Sequence, residues 1–249
     1  MDLKEQHHFG GIRHPWERAR VSALSTILDL TLPGHPAPSR LLDIGCGDGY
    51  AAATLFPQAE ISGVDTSLTD EMIDAMTREQ RHYYRSFEQI GEVDPFPMAL
   101  LLDVIEHLPD DRSFLQKEVV PRLTPGGLAL VTVPAFQTLF SSHDRFLGHY
   151  RRYSRTSLIE VLQQSGFTIR QTGYLFSSLL LPRMATLILE KFIGAKEAPT
   201  GVANWQHGES AATIIAALLT MENRLTLSLN STGINLPGLS LWAVCEKSS

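Results

Sequence analysis

The chain has only two cysteines in 249 residues, Cys46 and Cys245. That excludes a disulfide framework, and neither thiol has the spacing of a metal-ligand pair. No uncharged apolar run reaches the ~18 residues of a membrane span, so no spanning helix is expected. The opening residues hold no apolar signal run, because His7, His8, Arg13 and Arg18 interrupt them. Positive charge is also scarce: the formal net charge is -6. A general nucleic-acid binder needs a net basic surface, so that class is excluded, although a local basic patch is not. Two lone thiols and no leader predict a reducing, cytoplasmic location, with peripheral membrane contact as the variant. What the chain does have is apolar content, 43%. At this length that suits one domain with an insertion.

Residues 41–49 read Leu-Leu-Asp-Ile-Gly-Cys-Gly-Asp-Gly. Leu41, Leu42 and Ile44 read as a buried strand, Asp43 as its last acid, and the glycines as a tight turn into a helix. A second apolar run, Ile61 to Val64, ends in Asp65. Strand, glycine turn, helix and acid-terminated strand make the nucleoside-binding half of a doubly wound sheet. The dinucleotide fingerprint needs a glycine at position 50, where Tyr50 stands. A pyrophosphate on the helix N-terminus would also be repelled by Asp43. That disfavours an NAD(P) dehydrogenase. A cationic ligand with an amino group, such as S-adenosylmethionine, suits Asp43, and Asp65 is placed to accept from ribose hydroxyls.

With these residues the chain resembles the class I S-adenosylmethionine-dependent methyltransferases (methyltransferase type 11/12-like). Leu41 to Gly49 is similar to that family's first motif, and Val64-Asp65-Thr66-Ser67 to its second. Met98 to Leu108 resembles its fourth strand and Asp-Val-x-Glu-His-Leu signature. Leu123 to Pro134 resembles the turn and fifth strand. The resemblance spans about residues 40–135. It implies the fold and the cofactor S-adenosylmethionine, not the substrate. The cofactor residues expected are Asp43, Gly45, Cys46, Gly47, Asp65 and Thr66. Ser86 and Phe87 follow the third strand, near the adenine. Asp103, Val104 and His107 follow the fourth, under the methionine end. In related methyltransferases the Glu106–His107 pair helps fix loop and helix.

Periodicity predicts a helix from Pro15 with Trp16, Ala19, Ala23, Ile27 and Leu30 on one apolar face. Strands are predicted near 40–44, 60–64, 81–86, 98–103, 127–133, 167–171 and 239–246. Ser67, with Asp70 three residues on, predicts a helix start, and Ser154 a helix ending at Gly166. The fold class expected is α/β: a doubly wound, seven-stranded, mostly parallel Rossmann-like sheet. The family adds an antiparallel final strand pair at one edge. The domain reading is one methyltransferase domain over 1–249. It has a helical segment at 1–39, whose residues 1–14 are polar, and a helical insertion or lid at 175–237. The insertion carries apolar patterns from Tyr174 to Phe192, broken at Pro182 and Arg183, and from Glu209 to Leu229. Pro199, Gly201 and Gly208 lie in the polar link between them. A lid or homodimer face is favoured over membrane contact, because the second helix has few basic residues.

The segment 141–155 gathers chemistry at the carboxyl end of the fifth strand, where a methyl acceptor belongs. It holds His143, Asp144, His149, Tyr150, Arg151 and Arg152. His143 or His149 is the candidate base, since imidazole titrates near neutrality, and Asp144 is placed to orient one of them. Arg151 and Arg152 suit a carboxylate or phosphate on the substrate, with Tyr150 beside them. The pattern resembles a methyltransferase branch linked with lipid or glycan-related substrates. No metal is expected, because the arginines oppose a cation. The function expected is O-methylation of a small or lipid-linked anionic acceptor. The rival is a catalytically silent cofactor-binding partner or sensor.

Overall fold

The computed structural model describes residues 12–91, 93–193, 205 and 207–248. Most of the polar opening segment, and the link residues Pro199 and Gly201, lie outside the described residues. Seven strands form one sheet: β1 (Arg40–Ile44), β2 (Glu60–Val64), β3 (Arg81–Tyr84), β4 (Phe96–Leu102), β5 (Leu123–Pro134), β6 (Phe167–Leu175) and β7 (Ser240–Lys247). Their order is β3-β2-β1-β4-β5-β7-β6. All pairings are parallel except those of β7, which runs antiparallel to both β5 and β6. The central strands are almost wholly apolar, Phe-Pro-Met-Ala-Leu-Leu-Leu in β4, because both faces are covered.

Eight helices accompany the strands among the described residues: α1 (Pro15–Thr31), α2 (Tyr50–Leu55), α3 (Asp70–Met76), α4 (Asp111–Phe114), α5 (Ser142–Leu147), α6 (Arg155–Gln164), α7 (Leu180–Ile193) and α8 (Gly208–Ser231). One core layer packs Leu158 and Leu162 of α6 against Leu101, Val131 and Ala243. The other packs Ala19, Leu24 and Ile27 of α1 and Leu227 of α8 against Leu100, Leu130 and Trp242. An ion pair of Arg18 Nη1 with Glu209, 2.7 Å, ties α1 to the start of α8.

Several local expectations shift. Leu30 is 46% exposed, so the apolar face predicted for α1 does not run through its last turn. Thr69, not Ser67, caps α3: its Oγ1 accepts from Met72 N at 3.3 Å. Ser67 N is already held by Asp65 Oδ1 at 2.9 Å, which keeps Ser67 in the turn. Ser154 does cap α6, accepting from Ser157 N at 3.1 Å, and Gly166 follows at φ 100°. β6 runs on to Leu175, so Tyr174 is strand. Pro182 does not break α7; it sits in the first turn, where a missing N–H leaves no bond unmade. Leu181, Ile188, Leu189 and Phe192 of α7 and Ile214, Leu218, Met221 and Leu225 of α8 are exposed. Among the described residues no helix is long and apolar enough to cross a membrane.

Candidate active site

The carboxyl ends of β1, β2 and β4 frame a groove of about 420 Å³. Gly45, Asp65, Thr66, Phe87, Asp103, Val104 and His107 line it, as do Phe114, Gly148 and Tyr150. Gly45 has φ 67°, and a Cβ there would lie 2.6 Å from Val104 Cγ2. Only glycine keeps that wall open. Asp65 is fixed by two amides, Gly47 N at 3.1 Å and Ser67 N at 2.9 Å. A carboxylate has about four acceptor sites, so it retains capacity for the hydroxyls of a ribose. Phe87 and Phe114, 6.0 Å apart and tilted, supply an aromatic end. These residues fit an adenosyl cofactor. Replacing Asp65 with alanine is expected to weaken S-adenosylhomocysteine at least about tenfold, ~1.4 kcal/mol, by calorimetric titration. Unchanged affinity would remove Asp65 from the ribose site.

Asp43, Cys46, Gly47 and Ser86 do not line this groove. Asp43 is 2% exposed, and its Oδ2 has no hydrogen-bond partner among the described residues. It borders a small neighbouring cavity with Arg20, Asp48 and Tyr50. Burial, then Asp65 and Asp48, pushes its carboxyl up to about 7. The Cys46 and Cys245 thiols are pushed up by burial as well, so neither is a poised nucleophile.

A second cavity, about 280 Å³, adjoins the groove at Asp103, His107 and Leu147. Its walls come from distant elements: His14 and Trp16 at the head of α1, Glu106, His143, His149 and Arg152, Arg183 of α7, and Leu239–Ser240 at the start of β7. Asp103 stands between the two spaces at φ 60°, a conformation rare outside glycine. Arg20 Nη1 at 2.9 Å and Thr132 Oγ1 at 3.1 Å hold its carboxylate. A larger cavity of about 640 Å³ lies at the other end of the sheet, around Leu28, Pro38 and Gly126. Ligands of open α/β sheets bind beyond the carboxyl ends of the strands, so that cavity is set aside.

Asp144 is the hub of the second cavity. It is wholly buried. Its Oδ1 accepts from Arg152 Nε at 2.7 Å and meets His149 Nδ1 at 3.0 Å. Its Oδ2 accepts from Arg183 Nη2 at 2.9 Å and from Ser141 N at 2.9 Å, the latter a capping box for α5. Burial alone would raise this carboxyl. The His149 hydrogen bond and the Arg152 guanidinium outweigh it and hold the group well below the usual carboxylate range. His143 is lowered, first by burial and then by Arg183.

The arginines expected to meet substrate are partly spent. Arg152 is committed to Asp144 and to the Ala135 carbonyl. Arg151 pairs with Asp111 at 3.0 Å and donates to the Leu108 and Pro109 carbonyls. Tyr150 is exposed and faces the cofactor groove. Arg183 went unrecognised in the sequence, yet its Nε is buried with no hydrogen-bond partner among the described residues. The signal for it was a charge set into the first turn of an apolar helical run. Arg20, a charge on the apolar face of α1, carried a similar signal.

These shifts fix a pH profile. Asp43 is neutral in the fold up to about 7 and ionises above 3.8 when unfolded. Stability is therefore full below the lower value and lost as pH rises through the upper, by up to about 4 kcal/mol. Glu106, also raised by burial and by Asp103, adds the same sign. Asp144 has the opposite sign, losing stability only as pH falls below the ordinary carboxylate range. Urea unfolding of the cofactor-free chain should be hardest near about pH 4–5 and ease toward pH 8. Asp43→Asn should flatten that slope; a flat wild-type profile would contradict the burial argument.

The profile of the methyltransferase domain family matches residues 16–172. The chain belongs to this family, whose members are S-adenosylmethionine-dependent methyltransferases, and S-adenosylmethionine is its cofactor. It is similar to the trans-aconitate 2-methyltransferase of Methylobacterium nodulans, 34% identical over 108 residues, 39% of this chain. The match spans 39% of that relative's length. Among solved structures it is similar to the N-methyltransferase NodS of Bradyrhizobium japonicum, held with S-adenosylhomocysteine. That structure has a TM-score of 0.56, is 15% identical, and the match covers 100% of this chain and 95% of that one. The [4+2]-cyclase SpnF shares the fold at TM-score 0.56 and 17% identity, over 98% of this chain and 86% of that one.

Proposed function

We propose that the protein transfers a methyl group to a hydroxyl oxygen of a small or lipid-linked anionic acceptor held in the second cavity. The observation that carries this is the adjoining of that cavity, with His143 and His149 in its wall, to the cofactor groove at Asp103 and His107. Bound S-adenosylmethionine supplies a methyl on a sulfonium. The acceptor oxygen's electron pair forms the new O–CH3 bond, the C–S pair stays on sulfur, and the hydroxyl proton leaves to a base. His143 is our candidate for that base. Burial and Arg183 favour its neutral form, and only a neutral imidazole accepts a proton. His149 is turned by Asp144, which leaves Nε2 as its other ring nitrogen.

The anionic character rests on Arg183, whose Nε has no partner among the described residues. The relative that acts on trans-aconitate, an organic acid by its name, agrees with this. NodS, an N-methyltransferase, keeps nitrogen as the second reading. We read the exposed apolar faces of α7 and α8 as a lid or homodimer surface, in preference to membrane contact. The test is a screen of hydroxylated acids and amines with isotopically labelled methyl donor. O-methylated product supports the reading, N-methylated product replaces it, and S-adenosylhomocysteine binding without turnover on any acceptor leaves a silent binder.

A further inference from the structure

We propose that Glu106, His107 and His149 form a binding site for a divalent transition-metal ion, on the wall between the cofactor groove and the second cavity. One ligand atom from each residue lies within 4.8 Å of the other two. Around one ion, with ligands at roughly 2.1 Å, such atoms stand about 3–4 Å apart. Small side-chain rotations close the set.

Two observations point to a cation here, and a third holds the set together. Glu106 is completely buried, and neither carboxylate oxygen has a hydrogen-bond partner among the described residues. A buried acid whose oxygens meet no hydrogen-bond partner is costly unless a proton or a cation meets it. His149 meets buried Asp144 through Nδ1 at 3.0 Å. Metal-binding histidines carry this carboxylate on the far nitrogen, which fixes the tautomer and leaves Nε2 for the ion. Tyr150 N donates to the Glu106 carbonyl at 2.8 Å. That bond holds the loop after α5 against the turn after β4, with the His107 and His149 rings perpendicular and 4.5 Å apart.

The sequence argued against a metal because arginines crowd this segment. In the fold most of the nearby charge is answered: Arg20 pairs with Asp103, Arg151 with Asp111, and Arg152 and Arg183 share Asp144. Two imidazoles and one carboxylate suit Zn²⁺, Fe²⁺, Co²⁺ or Mn²⁺ rather than all-oxygen Mg²⁺ or Ca²⁺. Three protein ligands leave positions open, and all three residues line the second cavity. An acceptor hydroxyl bound there would release its proton to His143 more readily. The site itself stands whether the accepting atom is oxygen or nitrogen.

The full chain, stripped of metal, would be titrated with Co²⁺ by visible absorption and with Zn²⁺ by competition. We expect one equivalent bound with ligand-field bands. Glu106→Gln and His107→Gln should each weaken binding at least tenfold, and His143→Gln should bind as wild type. Circular dichroism and the melting temperature report that each variant is folded, and either variant suffices if the other is not. The His7–His8 pair of the sequence is a competing cation binder, so the variants decide. Wild type that binds S-adenosylhomocysteine but no Co²⁺, or Co²⁺ binding that both variants leave intact, overturns the site. Methyl transfer by metal-free protein would leave the proposed function standing without it. Co²⁺ binding with no transfer to any acceptor would leave the metal site and sink the function.

Discussion

Asp144→Ala is expected to lose at least about 3 kcal/mol of folding free energy, the largest effect of any single substitution here. The carboxylate has no exposed surface and holds two guanidiniums, one imidazole and the α5 cap. Its removal leaves the Arg152 and Arg183 charges in a low-dielectric interior without their counter-charge. An uncompensated buried charge typically costs about 3–5 kcal/mol, and a lost cap about 1 kcal/mol more. For a chain of this size that lowers the melting temperature by roughly 6–20 °C. Asp144→Asn keeps the shape and one acceptor, so it should fall between. Equilibrium urea unfolding at pH 7 measures both; a cost below about 1 kcal/mol for alanine would mean the two arginines find water or other acids.

His143→Gln is expected to lower kcat by about 100- to 10,000-fold while S-adenosylhomocysteine affinity stays unchanged. Glutamine keeps size and polarity but cannot take a proton. The wild-type rate should rise with pH as His143 loses its proton. It should level off below the ordinary imidazole value of 6.5, because burial and Arg183 favour the neutral ring. The variant should lose that rise. A carboxylate acceptor arrives already deprotonated, so a small effect with the pH rise absent would move the chemistry to ester formation. A small effect with the rise intact would transfer the base to His149.

The sheet was legible because its strands are nearly continuous apolar runs ending in acids, and because Tyr50 stands where a dinucleotide turn needs glycine. The cofactor groove was legible for the same reason: it is built close along the chain, from Ile44 to Phe114, with a few later residues. The second cavity was legible where its residues cluster in sequence, at 103–107 and 143–152. Trp16, Arg20 and Arg183 act there through tertiary contact, and helical periodicity reads them as face or as break. The proposed metal site was hidden for a related reason. Sequence counts the arginines near the histidines but cannot pair each with Asp103, Asp111 or Asp144.

The two cavities divide the chain unevenly. The groove draws on one compact stretch, whereas the second cavity borrows its walls from α1, α7 and the lead-in to β7. Substitutions at Trp16, Leu179 or Leu239 can therefore reshape the proposed acceptor cavity without disturbing the glycine turn, Asp65 or Phe87. Selectivity among acceptors is free to drift at the two ends of the chain while the donor half stays fixed. Such a layout lets one sheet serve many acceptors by exchange of its outer helices.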